Sequence, residues 1–172
     1  HISAVADGVR IHNFYVPAGG DIPDRSENPK FGHKLDFLTE MTTYFQAENP
    51  QKSVLVGDLN IAPLAEDVWS TKQLRNVVSH TDIERRMLLD CIDRGGFRDA
   101  MRQFFGADEI LYSWWSYRAR DWAASNRGRR LDHIWVSEDI SDNVASAHIL
   151  AEARCYEKPS DHVPLWIDIS LS

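Results

Sequence analysis

The sequence predicts a single domain of the α/β or α+β class with a sandwich-like β core. Short runs of β-branched and aromatic residues outnumber the stretches with helical periodicity, and the helical stretches lie between those runs. No internal repeat, low-complexity segment or linker divides the chain. Because 172 residues are enough to bury a sizeable core, we treat residues 1–172 as one domain.

The composition is ordinary for a globular protein, with 43% hydrophobic and 26% charged residues and a formal net charge of −7. No apolar run approaches the length of a membrane span and no signal-peptide pattern opens the chain, so we expect no membrane partner. The two cysteines, Cys91 and Cys155, lie outside any metal-ligand spacing. The simplest interpretation is a reduced, cytoplasmic protein in which both thiols are buried as small hydrophobic residues.

Strand and helix signals alternate along the chain. Residues 9–16 alternate in polarity and predict a strand, whereas apolar residues at helical spacing predict a helix over 31–46. The run 53–57 predicts a buried strand, and a capping box at 81–84 begins a helix that extends through Ile92. Further strands are predicted at 110–115, 131–136, 145–150 and 163–169.

The stretch Gly57–Pro63 places polar groups directly after a buried strand. Asp58 and Asn60 are two residues apart, so in an extended chain their side chains point to the same face. Pro63 then ends the ladder because it has no N–H to donate. Two interpretations stay open at this point: a strand-end turn in which both side chains bond the local backbone, or a polar site at the edge of a sheet.

Polar residues also lie at other predicted strand ends, at Tyr15, at Asp132 and at the pair Asp161-His162. Asp132 has apolar neighbours on its strand, which favour burial, and a buried carboxylate must be paired or hydrogen-bonded. His162 is the candidate partner. A histidine held by a carboxylate is a proton acceptor or a donor to an anion.

A localised basic loop lies on this acidic chain. Between residues 118 and 130 there are five arginines and one acid, Asp121. The loop is either a solvated surface or a binding surface for a polyanion. The arginines are Arg118, Arg120, Arg127, Arg129 and Arg130.

Five motifs occur in an informative order: Asn13–Gly19, Gly57–Pro63, Tyr112–Trp115, Asn126–Asp132 and Pro159–Pro164. They resemble those of the exonuclease III family of exonucleases and AP endonucleases, within the endonuclease/exonuclease/phosphatase superfamily. The resemblance runs from about Val9 to Ile169. It implies a DNase I-like fold, in which two mixed β-sheets pack as a sandwich flanked by helices, with the site at one edge.

The same resemblance implies an activity. It implies hydrolysis of phosphodiesters in damaged double-stranded DNA that depends on Mg²⁺ or Mn²⁺. The implied reactions are cleavage 5′ to an abasic site, 3′ to 5′ exonuclease action and removal of 3′ blocking groups.

The resemblance also implies roles for the residues of the motifs. Asp58 is implied to orient and deprotonate water or to hold the metal, with Asn60 on the phosphate or the metal and Asp161 as a further metal ligand. His162, oriented by Asp132, is implied to bind the scissile phosphate or to act as the base. The remaining contacts to phosphate and substrate are implied for Tyr15, Trp114, Arg118, Asn126 and Arg127, with Arg129 and Arg130 also meeting the DNA backbone.

Alternatives remain for the basic loop and the aromatic strand. The arginines could be purely solvated, and one of Trp114 and Trp115 is expected in the core. Two other functions also stay open: a non-catalytic DNA-binding fragment, and a phosphatase acting on a small phosphoester. The basic loop and Trp114 favour DNA.

One departure from the family pattern concerns the start of the chain. The family carries an early asparagine and a metal-binding glutamate before the tyrosine strand, whereas Tyr15 lies almost at the start here. We therefore expect a domain that is incomplete at its N-terminus, binds Mg²⁺ poorly and is a weak nuclease or none. Uncovered strand edges are expected to favour self-association.

Overall fold

The computed structural model describes residues 1–119 and 121–170, and its central element is a mixed five-stranded sheet. In chain order the elements are β1 (Ile2–Ala6), β2 (Val9–Asn13), α1 (Pro29–Glu48), β3 (Ser53–Asp58), α2 (Thr71–Leu74), α3 (Asp82–Arg94), β4 (Phe97–Asp99), β5 (Trp114–Trp115), α4 (Trp122–Ser125), β6 (Gly128–Arg129), β7 (Asp132–Ser137), β8 (Val144–Ile149) and β9 (Leu165–Ile169).

The central sheet has the strand order β1-β2-β3-β7-β4. Strands β2 and β3 are parallel, and the other neighbours are antiparallel. Strands β5 and β6 form one antiparallel ribbon, and β8 and β9 form another. The register of β3 and β7 places Asp58 opposite Asp132, at the edge where β3 ends and β7 begins.

Both faces of β3 and β7, in the middle of the central sheet, are covered. Leu55 on β3 and Trp135 on β7 pack against α1 and α3, in one cluster with Phe45. Their strand neighbours alternate to the opposite face, where Val54 and Val136 pack with apolar residues of the β8–β9 ribbon. This arrangement of helices, sheet and second β layer confirms the predicted fold class.

Both long helices begin at side chains that cap them. The Asn28 side chain accepts a hydrogen bond from the Lys30 amide at the start of α1, and Asn49 ends that helix in a left-handed conformation with φ of 48°. The capping box of Thr81 and Glu84 begins α3, as predicted. Among the described helices, none is both long enough and apolar enough to cross a membrane.

Two strand predictions need correction. The predicted strand 9–16 ends at Asn13, although the Phe14 and Val16 amides still donate to carbonyl groups of β3. The predicted strand 110–115 is reduced to β5, because the Leu111 and Ser113 amides bond to carbonyls of residues 66 and 129 instead of extending a regular ladder.

Two further features differ from expectation. Cys91 is buried in the core as predicted, but Cys155 is exposed, because it lies in a surface turn between β8 and β9. The hairpin partner β1 precedes the first predicted strand, and all five of its residues are exposed. Because β1 buries neither face, its residues do not alternate between buried and exposed positions, and this alternation is the pattern that predicts a strand.

Candidate active site

A cleft of about 740 Å³ lies at the sheet edge where β3 ends. Because it also contains residues from the loops after β2 and β5, several predicted polar groups meet there. The cleft is lined by the predicted residues Tyr15, Asp58, Asn60, Trp114, Arg118, Arg127, Arg129 and His162, and also by Trp69, which was not predicted.

The predicted pairing of Asp132 and His162 is present in the structure. The His162 ring Nδ1 lies 2.8 Å from Asp132 Oδ2, and both side chains are half-buried. This hydrogen bond is the main cause that raises the pKa of His162, since the carboxylate stabilises the protonated ring. The imidazole is therefore held in one orientation, and its second nitrogen forms no hydrogen bond with the residues that the structure describes.

Asp58 lies directly opposite Asp132 across β3 and β7. Burial, followed by the Asp132 carboxylate, raises the pKa of Asp58 to about 6. Two like charges close together in a partly dry cleft make the ionised form of Asp58 costly. A cation or a proton at this position would relieve that repulsion.

Asn60 contacts Asp58 through a different backbone conformation from the one predicted. Its φ is 53°, so the chain has left the extended conformation and the same-face argument is wrong for this residue. Its backbone N–H and its side-chain Nδ2 each donate to Asp58 over 3.0 Å, and Nδ2 also donates to the Val16 carbonyl. The strand-end turn and the cleft site therefore coexist in one stretch.

Tyr15 enters the cleft because the chain continues alongside β3 after β2 ends. Phe14 and Val16 are buried and alternate with Tyr15, whose side chain is 63% exposed. Gly57 permits this close approach, since a Cβ there would lie 1.9 Å from the Phe14 carbonyl oxygen. The glycine before Asp58 thus brings the tyrosine segment to the same edge.

Four consecutive carbonyl oxygens after Asp58, those of residues 60–63, each accept a hydrogen bond from a side chain of a different segment. Such a series fixes the backbone that carries Asp58 and Asn60. The donors are, in order, Lys34 Nζ (2.9 Å), His133 Nε2 (2.8 Å), His80 Nδ1 (2.7 Å) and Arg85 Nε (2.7 Å).

The two histidine donors lie where the protonated form of the ring is disfavoured. Burial lowers the pKa of His133 to about 4 and lowers the pKa of His80 as well. Sequence reasoning missed both as positioning groups. The available signal was His133 itself, a polar residue between apolar neighbours on a strand, which must be hydrogen-bonded when buried.

Lys34 and Glu84 form an ion pair beneath this loop. Their charged groups are 2.6 Å apart and both side chains are fully buried. Glu84 also accepts hydrogen bonds from Ser79 and Thr81, so one carboxylate caps α3 and neutralises Lys34. Burial lowers the pKa of Lys34, and Glu84 opposes that shift. Because Lys34 also donates to the Asn60 carbonyl, the pair links α1, α3 and the cleft loop.

The aromatic strand divides as expected, with one tryptophan in the core and one at the cleft. Trp115 is buried, whereas Trp114 is half-buried and donates from Nε1 to Asp161 Oδ2 over 2.9 Å. Asn126 does not line the cleft, and its Oδ1 accepts a hydrogen bond from Trp115 Nε1. Asp161 is thus held next to His162, but it is not among the residues that line the cleft.

The arginines of the basic loop have different surroundings. Arg118 and Arg127 are exposed and line the cleft, and Arg129 is half-buried beside them. The expectation that Arg130 meets DNA is wrong, because its side chain is fully buried in ion pairs with Asp67 and Asp99. Arg120 lies outside the described residues.

A divalent cation fits the cleft only in part. Asp58, Asp161 and the Asn60 amide are hard oxygen donors of the kind that Mg²⁺ prefers, and the raised pKa of Asp58 marks a place where positive charge is favourable. Within residues 1–119 and 121–170, however, no group of three or more His, Cys, Asp or Glu side chains is placed to hold a metal ion.

Comparison with known proteins identifies the family of this chain. A model of the Endonuclease/Exonuclease/phosphatase family matches residues 6–162. The chain belongs to that family. Within it, the chain is 29% identical to exodeoxyribonuclease III of Haemophilus influenzae over 163 residues, covering 91% of this chain and 60% of that protein. It is 31% identical to an exodeoxyribonuclease of Bacillus subtilis over 145 residues, covering 83% and 54% respectively.

Solved structures agree with this assignment. An AP endonuclease from Archaeoglobus fulgidus superposes with a TM-score of 0.90 at 29% identity, covering 98% of this chain and 64% of that chain. A 3′ phosphatase from Neisseria bound to a product DNA hairpin superposes with a TM-score of 0.88 at 28% identity, with the same coverage. The predicted family and fold are confirmed, and the chain spans about 54–64% of the length of these relatives.

Proposed function

We propose that this chain carries the DNA phosphodiesterase site of an exodeoxyribonuclease III-type enzyme. The proposed substrates are double-stranded DNA with abasic sites and DNA 3′ ends. The single observation that carries the proposal is the Asp132–His162 pair, which faces Asp58 in a cleft with exposed arginines on its wall.

Each group in the cleft has a role that its surroundings support. His162, held by Asp132, is oriented to donate to the scissile phosphate or to take a proton from water. Asp58, whose pKa is raised to about 6, accepts a proton from water near neutral pH or, when a cation is bound, serves instead as its ligand. Tyr15 is exposed in the cleft and offers its hydroxyl group to a phosphate oxygen.

The rest of the cleft binds the substrate. Trp114 is half-buried on the wall and presents a ring against which an extrahelical sugar can pack. Arg118 and Arg127 bring positive charge to the DNA backbone. This combination of aromatic and cationic groups fits a nucleic acid better than a small phosphoester.

A divalent cation, Mg²⁺ or Mn²⁺, would be held by Asp58 and Asp161 with the Asn60 amide oxygen. When bound, it supplies positive charge to the phosphate oxygens. We expect binding to be weak, because both Asp58 oxygens already accept hydrogen bonds from Asn60 and Asp161 already accepts one from Trp114. We therefore propose that this chain by itself is a slow nuclease.

The test is a titration of the chain with a labelled abasic duplex, with and without Mg²⁺ or Mn²⁺, for wild type and Asp58→Asn. We expect binding by both proteins and slow, metal-dependent cleavage by the wild type alone. Fast Mg²⁺-dependent cleavage would overturn the proposed weak metal binding. Cleavage that persists unchanged in Asp58→Asn would overturn the proposed site.

The same titration separates the other two functions. A non-catalytic DNA-binding fragment would bind the duplex without cleavage in either protein at any metal concentration. A small-phosphoester phosphatase would leave the duplex unbound and hydrolyse p-nitrophenyl phosphate in a reaction that Asp58→Asn abolishes. The partial metal donor set within the described residues is the observation that keeps the non-catalytic fragment as second candidate.

A further inference from the structure

Trp69 is a cleft residue that the roles above leave unused. It lies between β3 and α2, and its half-buried ring packs against two apolar clusters, one with Val68 and Leu74 and one with Tyr112 and Trp115. Its backbone N–H donates to the Gly128 carbonyl over 3.2 Å, which ties it to β6. The ring is therefore a fixed surface in the cleft wall and needs little ordering when a ligand binds.

An arginine covers this ring. The Arg127 guanidinium carbon is 4.7 Å from the centroid of the Trp69 ring, and Arg127 itself is exposed and lines the same cleft. Among the acids that the structure describes, none forms an ion pair with Arg127. A second pair of the same kind lies nearby, with the Arg129 guanidinium carbon 5.5 Å from the Trp114 ring.

Alternating aromatic and guanidinium planes in a cationic cleft are the elements that bind unpaired bases. We propose that Trp69 and Arg127 together form a stacking site for an unpaired nucleobase of the DNA substrate. This inference rests on the proposed function, because it takes DNA as the ligand of the cleft. It adds a substrate feature, an unpaired base beside the bond to be cut.

The spacing limits how the base binds. A planar group needs about 3.5–4 Å to each neighbouring plane, so no base fits between Arg127 and Trp69 at their present separation. The base therefore stacks on the outer plane of the guanidinium or takes its place on the indole. Either way, the plane of Arg127 matters as well as its charge.

The experiment measures binding by fluorescence anisotropy without metal, using a labelled duplex with one unpaired 3′-terminal base and its fully paired counterpart. For Trp69→Leu we expect about a tenfold loss of affinity for the unpaired end. Affinity for the paired duplex and the salt dependence should change little. Trp69→Phe keeps a smaller ring and should lose less, and Trp166→Leu, at an exposed position of β9, is the control for removing a tryptophan elsewhere.

Arg127 variants separate stacking from charge. Arg127→Lys keeps the charge, so its salt dependence should match the wild type, but it should lose the preference for the unpaired end. Arg127→Ala should also reduce the slope of log affinity against log salt by about one. A preference that survives in Arg127→Lys and in both Trp69 variants overturns the stacking site. If the wild type binds neither duplex, the proposed function and this inference both fail, whereas unchanged binding by the variants defeats this inference alone.

Discussion

At the scale of single residues, Asp58 is the group whose surroundings are least favourable to its charge. The folded-state pKa of Asp58, about 6, lies above the ordinary value of 3.8. The folded protein therefore holds this proton more tightly than the unfolded chain, and the contribution of Asp58 to stability falls as the pH rises from about 4 to about 6. Such a cost is common where catalysis requires a poised carboxylate.

Asp58→Asn should remove that cost. In metal-free buffer we expect the stability of the variant relative to the wild type to rise by about 1–3 kcal/mol between pH 4 and pH 7, because solvent screens part of the effect. A pH-independent loss is added to this, since the new side chain has one acceptor oxygen for the two hydrogen bonds from Asn60. Urea unfolding across this pH range measures it, with the exposed Asp142→Asn as control. A difference in stability between Asp58→Asn and the wild type that stays the same from pH 4 to pH 7 would contradict the account of Asp58.

His133 gives the opposite pH dependence. Its folded-state pKa, lowered to about 4 by burial and by Arg130, lies below the ordinary 6.5. The unfolded chain takes up the proton first, so the stability that the neutral ring contributes is present above pH 6.5 and is lost as the pH falls towards 4.

We expect a loss of roughly 3 kcal/mol over that window from this residue. In His133→Gln, the slope of unfolding free energy against pH between 6.5 and 4 should become shallower, whereas exposed His33→Gln on α1 should leave it unchanged. Unfolding by urea at several pH values measures both slopes. A slope in His133→Gln as steep as in the wild type would show that His133 does not carry the pH dependence.

At the scale of elements, the cleft depends on how α1 and α3 hold the loop after β3. The Lys34–Glu84 pair is fully buried, so removing one partner leaves an isolated charge. Lys34→Met should cost about 3–5 kcal/mol of unfolding free energy. The double variant Lys34→Met/Glu84→Gln should lose much less, because both charges are gone and the new side-chain amide oxygen can still accept the Thr81 hydrogen bond.

Urea unfolding of the single and double variants measures this coupling. The account predicts that the double variant is more stable than Lys34→Met alone. Losses that simply add would mean that the two charges do not interact in the folded protein. The exposed pair Arg25 and Asp36, which also involves α1, is the matched control and should change stability by less than about 1 kcal/mol.

The same elements show what the sequence could predict. The Asp132–His162 pair was predictable, because a carboxylate between apolar strand residues requires a partner and few candidates exist. The capping box of Thr81 and Glu84 was predictable from local spacing. The burial of Arg130 was not, because Asp67 and Asp99 are distant in sequence and only the packed domain brings them to it.

The cleft loop shows the same limit. The left-handed turn at Asn60 depends on donors from α1, β7 and α3, which no local pattern reveals. Period-two reasoning therefore brought Asn60 to the right neighbour, Asp58, for the wrong geometric reason. Tertiary hydrogen bonds, and not strand propensity, set that conformation.

At the scale of the whole molecule, β1 is an exposed edge of the central sheet. All five of its residues are exposed, including Ile2 at 70% and Val5 at 60%. An edge with unpaired backbone groups and apolar side chains is a template for another strand. We therefore expect this chain to self-associate in solution.

Sedimentation velocity over a range of concentrations measures the association. Val5→Lys should shift the chain towards monomer, since a charge on an edge strand opposes pairing. Ile83→Lys, at an exposed position on α3 away from any strand edge, is the control. A wild-type chain that stays monomeric at high concentration would contradict the prediction.

The proposal that this cleft is a DNA phosphodiesterase site is tested most directly by replacing His162. The measurement is the single-turnover rate of abasic-duplex cleavage with Mn²⁺, for wild type, His162→Ala and the control His148→Ala. His148 is a suitable control because it also lies near a carboxylate, Asp168 at 3.4 Å, on the β8–β9 ribbon outside the cleft. We predict slow cleavage by the wild type and His148→Ala and at least roughly a hundredfold loss in His162→Ala. Equal cleavage by His162→Ala and wild type would contradict the account.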